Sequence, residues 1–262
     1  VYPVEPPTDR SLIDLPQTVV TPHLGASTKE AQENVAVDVA IEVIKVLKGE
    51  AFKNAVNLPP LRPEVRAAIQ PFFILMEALG KFAGQLAKPG IQKLEVSYLG
   101  DISKLETNYL TTLVLKGLLQ ADLGDEVTQV NAIYLAKERG IKVVEHKLPD
   151  VTGYSSLVKV TAVTDKESHT LSGTIINQDE ARIVEIDEYH FDIVPSGNLI
   201  GVNHNDQPGV IGEVGTILGG QGINIAAMQV GRVKQGGNAL MIIRVDTAAA
   251  GRREMLETAH TV

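Results

Sequence analysis

In this 262-residue chain the residue types best suited to chemistry lie in the stretch Thr21-Pro22-His23-Leu24-Gly25-Ala26-Ser27-Thr28. It places one histidine on a short turn, directly ahead of a helical pattern. Ser27 and Glu30 have the spacing of a capping box, in which the hydroxyl accepts from an orphan helix N–H and the carboxylate reaches back. This predicts a turn stiffened on its C-terminal side, with His23 just before a positive helix end. Imidazole exchanges its proton nearest neutral pH, so the candidate role is general acid–base work. Glu5 is the candidate partner. A carboxylate bonded to an imidazole fixes its tautomer, orients the ring and favours the protonated form, which suits proton exchange with a substrate hydroxyl. Sequence separation alone leaves open whether Glu5 meets His23 or is a solvated charge.

Other motifs say less by themselves. Asp206-Gln207-Pro208-Gly209 ends a strand pattern and opens a helical one, with Pro208 placed near the first helical position and Gly209 allowing close approach. Gly212, Gly215 and Gly219 fall roughly on one face of that helix, where they are expected to let it pack tightly on a sheet. Gly219-Gly220-Gln221-Gly222 is glycine-rich but leads from helix into strand, the wrong direction for a phosphate cradle, and no G-x-G-x-x-G stands between a strand and a helix. The six histidines, His23, His146, His169, His190, His204 and His260, include no pair at helical i, i+4 spacing, so no metal site is indicated. Lys116 and Lys147 are conceivable contributors to an anion site in the middle of the chain, with solvated lysines as the plainer reading.

The elements that must position these residues follow from pattern and punctuation. A short strand at 19–20 is expected before the His23 turn, then a helix over 28–48 with Val35, Val39, Val43 and Val46/Leu47 on one stripe. Asn57-Leu58-Pro59-Pro60 reads as a linker. Beyond it come a helix from about Pro71 carrying Phe72, Leu75, Met76, Leu79, Phe82 and Leu86, a strand at 93–99, helices at 107–121 and 127–139, and strands at 142–146, 157–164, 169–176 and 182–186. Grouped helices beside runs of strands predict α+β architecture with a largely antiparallel sheet. After Pro195-Ser196-Gly197 the order is strand 199–203, helix 209–218, strand 223–230, a Gly-rich turn, strand 239–245 and a helix from about Arg252, most of a ferredoxin-like β-α-β-β-α-β unit.

Size and composition bound the function. The length suggests roughly two domains, and 44% hydrophobic with 21% charged residues is ordinary for a globular chain. A net charge of −8, with no Lys/Arg block, makes nucleic acid and anionic membrane surfaces poor partners. No segment reads as membrane-spanning or as a signal peptide. The absence of cysteine rules out disulfides, thiolate metal sites and a cysteine nucleophile, and fits a cytoplasmic location. A start without Met in a Pro-rich loop is expected to be a cut end.

Glu5-Pro6-Pro7, and then the run from Leu15 through Thr28 with its continuation Lys29-Glu30-Ala31-Gln32, resemble the end of the nucleotide-binding domain of the NAD-dependent D-2-hydroxyacid dehydrogenases. Lys116-Gly117-Leu118-Leu119, and Val130-Asn131-Ala132 through Ala136-Lys137-Glu138-Arg139-Gly140-Ile141, resemble the intervening, allosteric-substrate-binding domain of some members. His204-Asn205-Asp206-Gln207-Pro208-Gly209-Val210-Ile211-Gly212, with Gly222-Ile223-Asn224-Ile225, resembles their C-terminal ACT domain. The resemblance implies an α+β multidomain chain: residues 1–57 as the tail of a Rossmann-type dehydrogenase region, 58–194 as the intervening domain, and 195–262 as an ACT domain of ferredoxin-like βαββαβ fold lacking its last strand. It implies oxidation of 3-phosphoglycerate at C2 with NAD, on the route to L-serine, with His23 taking the hydroxyl proton and Glu5 holding it.

The family's dinucleotide fingerprint has no counterpart here, so the chain by itself is expected to bind no NAD and to be inactive. In the ACT domain the resemblance implies that Asp206 and Asn224, with His204 as a weaker third member, bind L-serine as a feedback inhibitor at the interface of two domains. Backbone N–H groups at the helix mouth would receive its carboxylate, in a homodimer or homotetramer. Two other readings compete: a free-standing amino-acid-binding regulatory module, and the regulatory part of an iron–sulfur L-serine dehydratase. The latter needs cluster cysteines and leaves the His23 stretch unexplained.

Overall fold

The computed structural model describes residues 2, 4–48, 62–87 and 90–246. The chain divides into two compact units, Val1–Val56 and Asn57–Val262. The linker expected at 57–60 and the helix expected from Arg252 lie outside the described residues.

In the first unit, an irregular segment leads to helix α1 (Lys29–Leu47). Its N-cap is Thr28, not Ser27: the Thr28 hydroxyl accepts from Ala31 N at 3.1 Å, while Ser27 Oγ donates to the Leu24 carbonyl. Glu30 therefore sits in the first helical turn, where it meets the helix dipole, instead of closing a capping box. Val19 and Val20 form no strand; both are exposed and lack a ladder partner among the described residues. No residue of α1 is buried, although valine, isoleucine and leucine cover most of its circumference and leave one polar strip with Asn34, Asp38, Glu42 and Lys45.

In the second unit, Pro63 opens helix α2 (Pro63–Ile69), a position where its missing N–H costs nothing. A 3-10 turn at Gln70–Phe72 follows, and then α3 (Phe73–Leu86), which buries Leu75, Met76 and Leu79 as its spacing predicts. Next come β1 (Lys93–Gly100), α4 (Asn108–Leu123), α5 (Ala132–Glu138), β2 (Lys142–Leu148), β3 (Ser156–Val163), β4 (Ser168–Ile176), β5 (Glu180–Ile186) and β6 (Tyr189–Ile193). The helix expected at 127–139 is cut to α5. Asn131 Oδ1 accepts from Thr128 N at 2.7 Å and Asn131 Nδ2 donates to the Glu126 carbonyl at 2.9 Å, so short polar side chains take backbone groups that a longer helix would need.

The six strands form one sheet in the order β2-β1-β3-β4-β5-β6, parallel only between β1 and β2. Leu94, Val96 and Tyr98 of β1 alternate into the core beneath α3 and α4. The two helices cross at glycines. A Cβ on Gly80 would overlap the Val114 carbonyl oxygen, and one on Gly117 would overlap that of Glu77.

The C-terminal part has β7 (Asn198–Asn205), α6 (Val210–Gly220), β8 (Ile225–Arg232) and β9 (Asn238–Val245), with a three-stranded sheet ordered β7-β9-β8. The central β9, antiparallel to both neighbours, is the arrangement of a ferredoxin-like sheet. Met241, Ile243 and Val245 share a core with Val214 and Leu218 of α6, whereas Leu240 and Ile242 join the core of the larger sheet. The join is also polar. Asp192 N of β6 donates to Gln229 Oε1 of β8 at 2.9 Å, and Gln229 Nε2 donates back to the Asp192 carbonyl at 2.5 Å. Beside this pair Gly231 lets the β6 aromatics approach: a Cβ there would lie 2.8 Å from Phe191 Cζ and 3.0 Å from Tyr189 Cβ. Among the described residues no helix is long and apolar enough to cross a membrane.

Candidate functional site

Two groups of residues can do chemistry. In the first unit the turn before α1 carries His23 back to the N-terminal loop, and His23 Nδ1 lies 2.6 Å from Glu5 Oε2. Tyr2 N donates to the other carboxylate oxygen, Oε1, at 3.3 Å, which helps hold Glu5 in place. The hydrogen bond from His23, and after it the Tyr2 amide, keeps the Glu5 carboxyl below the ordinary glutamate value. An ionised Glu5 accepts Nδ1–H, so the neutral imidazole presents its lone pair at Nε2. The His23 side chain is 56% exposed, open to a substrate. A ring with one nitrogen fixed by a carboxylate and the other accessible can take a proton from an alcohol and give it back.

The second group is in the ACT sheet. Gly209, with φ of 101°, is the N-cap of α6. Pro208 therefore precedes the cap and does not occupy the first helical turn. Gly212, Gly215 and Gly219 do not pack on the sheet as expected: a Cβ at any of them meets nothing within 4 Å, and Val214 and Leu218 make the buried contact instead.

Asp206, one residue past β7, is held by the β8–β9 hairpin. Its Oδ2 accepts from Arg232 Nη1 at 2.7 Å and from Gly236 N at 3.1 Å, and its own N–H donates to the Gly237 carbonyl at 2.8 Å. The Arg232 bond, then the Gly236 amide, keeps the Asp206 carboxyl below the ordinary aspartate value, with His204 close enough to add to the effect. His204 is only 9% exposed; its Nδ1 is 2.8 Å from the Asn205 carbonyl, and its Nε2 is buried with no partner among the described residues.

Asn224 is elsewhere. It immediately precedes β8 at the Val245 end of the sheet and donates from Nδ2 to Asp246 Oδ2 at 2.6 Å. His204 and Asp206 lie at the Asn238 end, about 20 Å away along the strands. One copy of the chain thus brings His204 and Asp206 together and leaves Asn224 apart. Arg232, which the sequence reading did not single out, joins them through the β8–β9 hairpin. No local motif marks it, because only strand pairing carries it next to Asp206.

Lys116 and Lys147 are spent on structure: Lys116 Nζ pairs with Glu77 Oε1 at 2.8 Å, and Lys147 Nζ donates to the Leu105 carbonyl at 2.7 Å. The cleft over Gly100, lined by Asp101, Asp150, Tyr154 and Lys159 among others, includes neither lysine. Among the described residues no three His, Asp or Glu side chains are grouped to hold a metal.

Comparison with known proteins gives the arrangement a family. Residues 68–187 match the D-3-phosphoglycerate dehydrogenase intervening domain, and residues 199–261 match the ACT domain. Over 246 residues the chain is 42% identical to the D-3-phosphoglycerate dehydrogenase of Bacillus subtilis, an alignment covering 94% of this chain and 47% of that protein. It is 40% identical to the enzyme of that name from Synechocystis (94% and 45% covered) and 39% identical to that of Methanocaldococcus jannaschii (94% and 47% covered). The chain spans about half the length of the curated relatives it matches. With an intervening domain followed by an ACT domain, and these identities along nearly its whole length, the chain belongs to the D-3-phosphoglycerate dehydrogenase family.

Proposed function

We propose that the chain works as part of a D-3-phosphoglycerate dehydrogenase that oxidises 3-phosphoglycerate to 3-phosphohydroxypyruvate with NAD, in L-serine biosynthesis, and that L-serine regulates it through the ACT domain. In this reading residues 1–57 belong to the catalytic region, 58–194 are the intervening domain and 195–262 the ACT domain. The observation that carries the catalytic part is the 2.6 Å contact between His23 and Glu5. His23 Nε2 takes the proton of the C2 hydroxyl as the carbon loses its hydride, and Glu5 holds the ring and stabilises the imidazolium that forms.

The glycine-rich run at 219–222 leaves α6 for β8 instead of leaving a strand for a helix, so it lacks the orientation of a dinucleotide cradle. The exposed valines and isoleucines of α1 support the same reading, since so broad an apolar face is one that further protein covers.

For regulation, His204 and Asp206 supply one half of an effector site and Asn224 the other. Their separation within one copy supports a site completed by a second copy, in a homodimer or homotetramer. The open glycine face of α6 is suited to such close approach.

The test joins this chain to the part of the Bacillus subtilis relative that it does not match, and follows NADH formation from 3-phosphoglycerate. The chimera is expected to turn over and the 262-residue chain alone to give none. His23→Asn in the chimera is expected to cut kcat by about 10²- to 10⁴-fold, and Glu5→Gln by on the order of tenfold, as for other groups that orient an imidazole. A His23→Asn chimera as active as its parent overturns the catalytic reading.

A further inference from the structure

We propose that Arg232 is the residue that reads the carboxylate of the amino-acid effector, so that Asp206 and Arg232 together recognise a zwitterion. The inference rests on the reading of Asp206 and His204 as an effector site. Three groups converge there with complementary offers. Asp206 uses only Oδ2 for Arg232 and Gly236, and Oδ1 has no partner among the described residues, so a charged acceptor is free for an ammonium. In its neutral form His204 donates Nδ1–H to the Asn205 carbonyl, which leaves the buried Nε2 as a lone-pair acceptor with no donor among the described residues. An acceptor sealed from water and unpaired costs free energy that a ligand N–H or O–H returns.

Arg232 spends Nη1 on Asp206, and its side chain is 53% exposed, so the rest of its donor fork faces outward beside the carboxylate. An anion and a cation held side by side complement the adjacent ammonium and carboxylate of an α-amino acid. Neither a simple amine nor a simple acid satisfies both.

The α6 N-terminus is the other carboxylate receptor at this end of the sheet. Arg232 is preferred because its charge is already fixed against Asp206 and its guanidinium can donate two parallel bonds to a carboxylate. The hairpin also makes the pair rigid: Gly236 N and the Gly237 carbonyl hold Asp206 from the same turn that follows β8.

Calorimetry on the 262-residue chain tests this with L-serine and with ethanolamine, which keeps the ammonium and hydroxyl of serine but lacks the carboxylate. The unmodified chain is expected to bind L-serine at least about tenfold more tightly than ethanolamine. Arg232→Gln is expected to weaken L-serine about tenfold and leave ethanolamine unchanged, with Arg232→Lys recovering part of the loss through its point charge. Asp206→Ala is expected to lose both ligands, and thermal unfolding confirms that each variant is folded. If Arg232→Gln binds L-serine as tightly as the unmodified chain, or weakens both ligands equally, Arg232 does not read the carboxylate and the proposal is overturned while the effector site stands. If the unmodified chain binds neither ligand, the effector reading fails and takes the proposal with it.

Discussion

Thr28 and Ser27 both offer a hydroxyl ahead of α1, and only the turn geometry decides between them. The Ser27 hydroxyl is drawn back to the Leu24 carbonyl, which leaves Thr28 to satisfy the Ala31 amide. Because α1 buries no residue within its own unit, a local cap is a large part of what holds its first turn. Thr28→Ala is therefore expected to cost about 1 kcal/mol, read as faster hydrogen exchange of the α1 amides nearest the cap. Ser27→Ala is expected to change the same amides by less than about 0.5 kcal/mol. His23 and Glu5 are legible in the sequence as partners in kind, and the fold supplies the contact. Arg232 is not legible there, because its meaning depends on strand pairing across 26 residues. Nor does the sequence separate Asn224 from Asp206, since adjacency in a motif list says nothing about which end of a sheet each residue occupies.

At the scale of elements, the same substitution has opposite signs on two helices. Gly117 on α4 lies against the backbone of α3, where a Cβ would overlap the Glu77 carbonyl and stand 2.9 Å from Lys81 N. Neither atom can move without displacing the helix, so Gly117→Ala is expected to destabilise the second unit by about 3 kcal/mol in chemical denaturation. Gly215 on α6 has nothing within 4 Å of the added carbon. Gly215→Ala is expected to stabilise by about 0.5 to 1 kcal/mol through helix propensity alone. The helical and strand periodicities were legible because α3, β1 and most of β3 bury one regular face. β6 was missed because its five residues alternate between partly buried and exposed until Ile193, with charge and imidazole among them. α5 was overextended because the pattern did not weigh the side-chain bonds of Thr128 and Asn131.

Across the second unit as a whole, the seam between β6 and β8 decides whether the ACT domain behaves as a separate body. Gln229 reproduces a pair of strand-like hydrogen bonds with Asp192, and Gly231 admits Phe191 and Tyr189. Gly231→Ala is expected to push these rings off the seam at a cost of about 1 to 3 kcal/mol. Calorimetric unfolding should register it as one transition becoming two, with the ACT part melting first. A single unchanged transition would show that the shared core, and not the seam, carries the coupling.

The strand β9 gives that shared core a parity. Leu240 and Ile242 face the large sheet's core, while Met241, Ile243 and Val245 face α6. An even-numbered substitution on this strand is thus addressed to the intervening domain and an odd-numbered one to the ACT domain. Inserting or deleting one residue after Asn238 would exchange the two addresses at every position that follows, because side chains alternate with a period of two. Evolutionary drift in the length of the β8–β9 hairpin is tolerable only where β9 keeps its parity, so variation should accumulate at Lys234-Gln235 and stop short of Gly236, which holds Asp206, and of the strand.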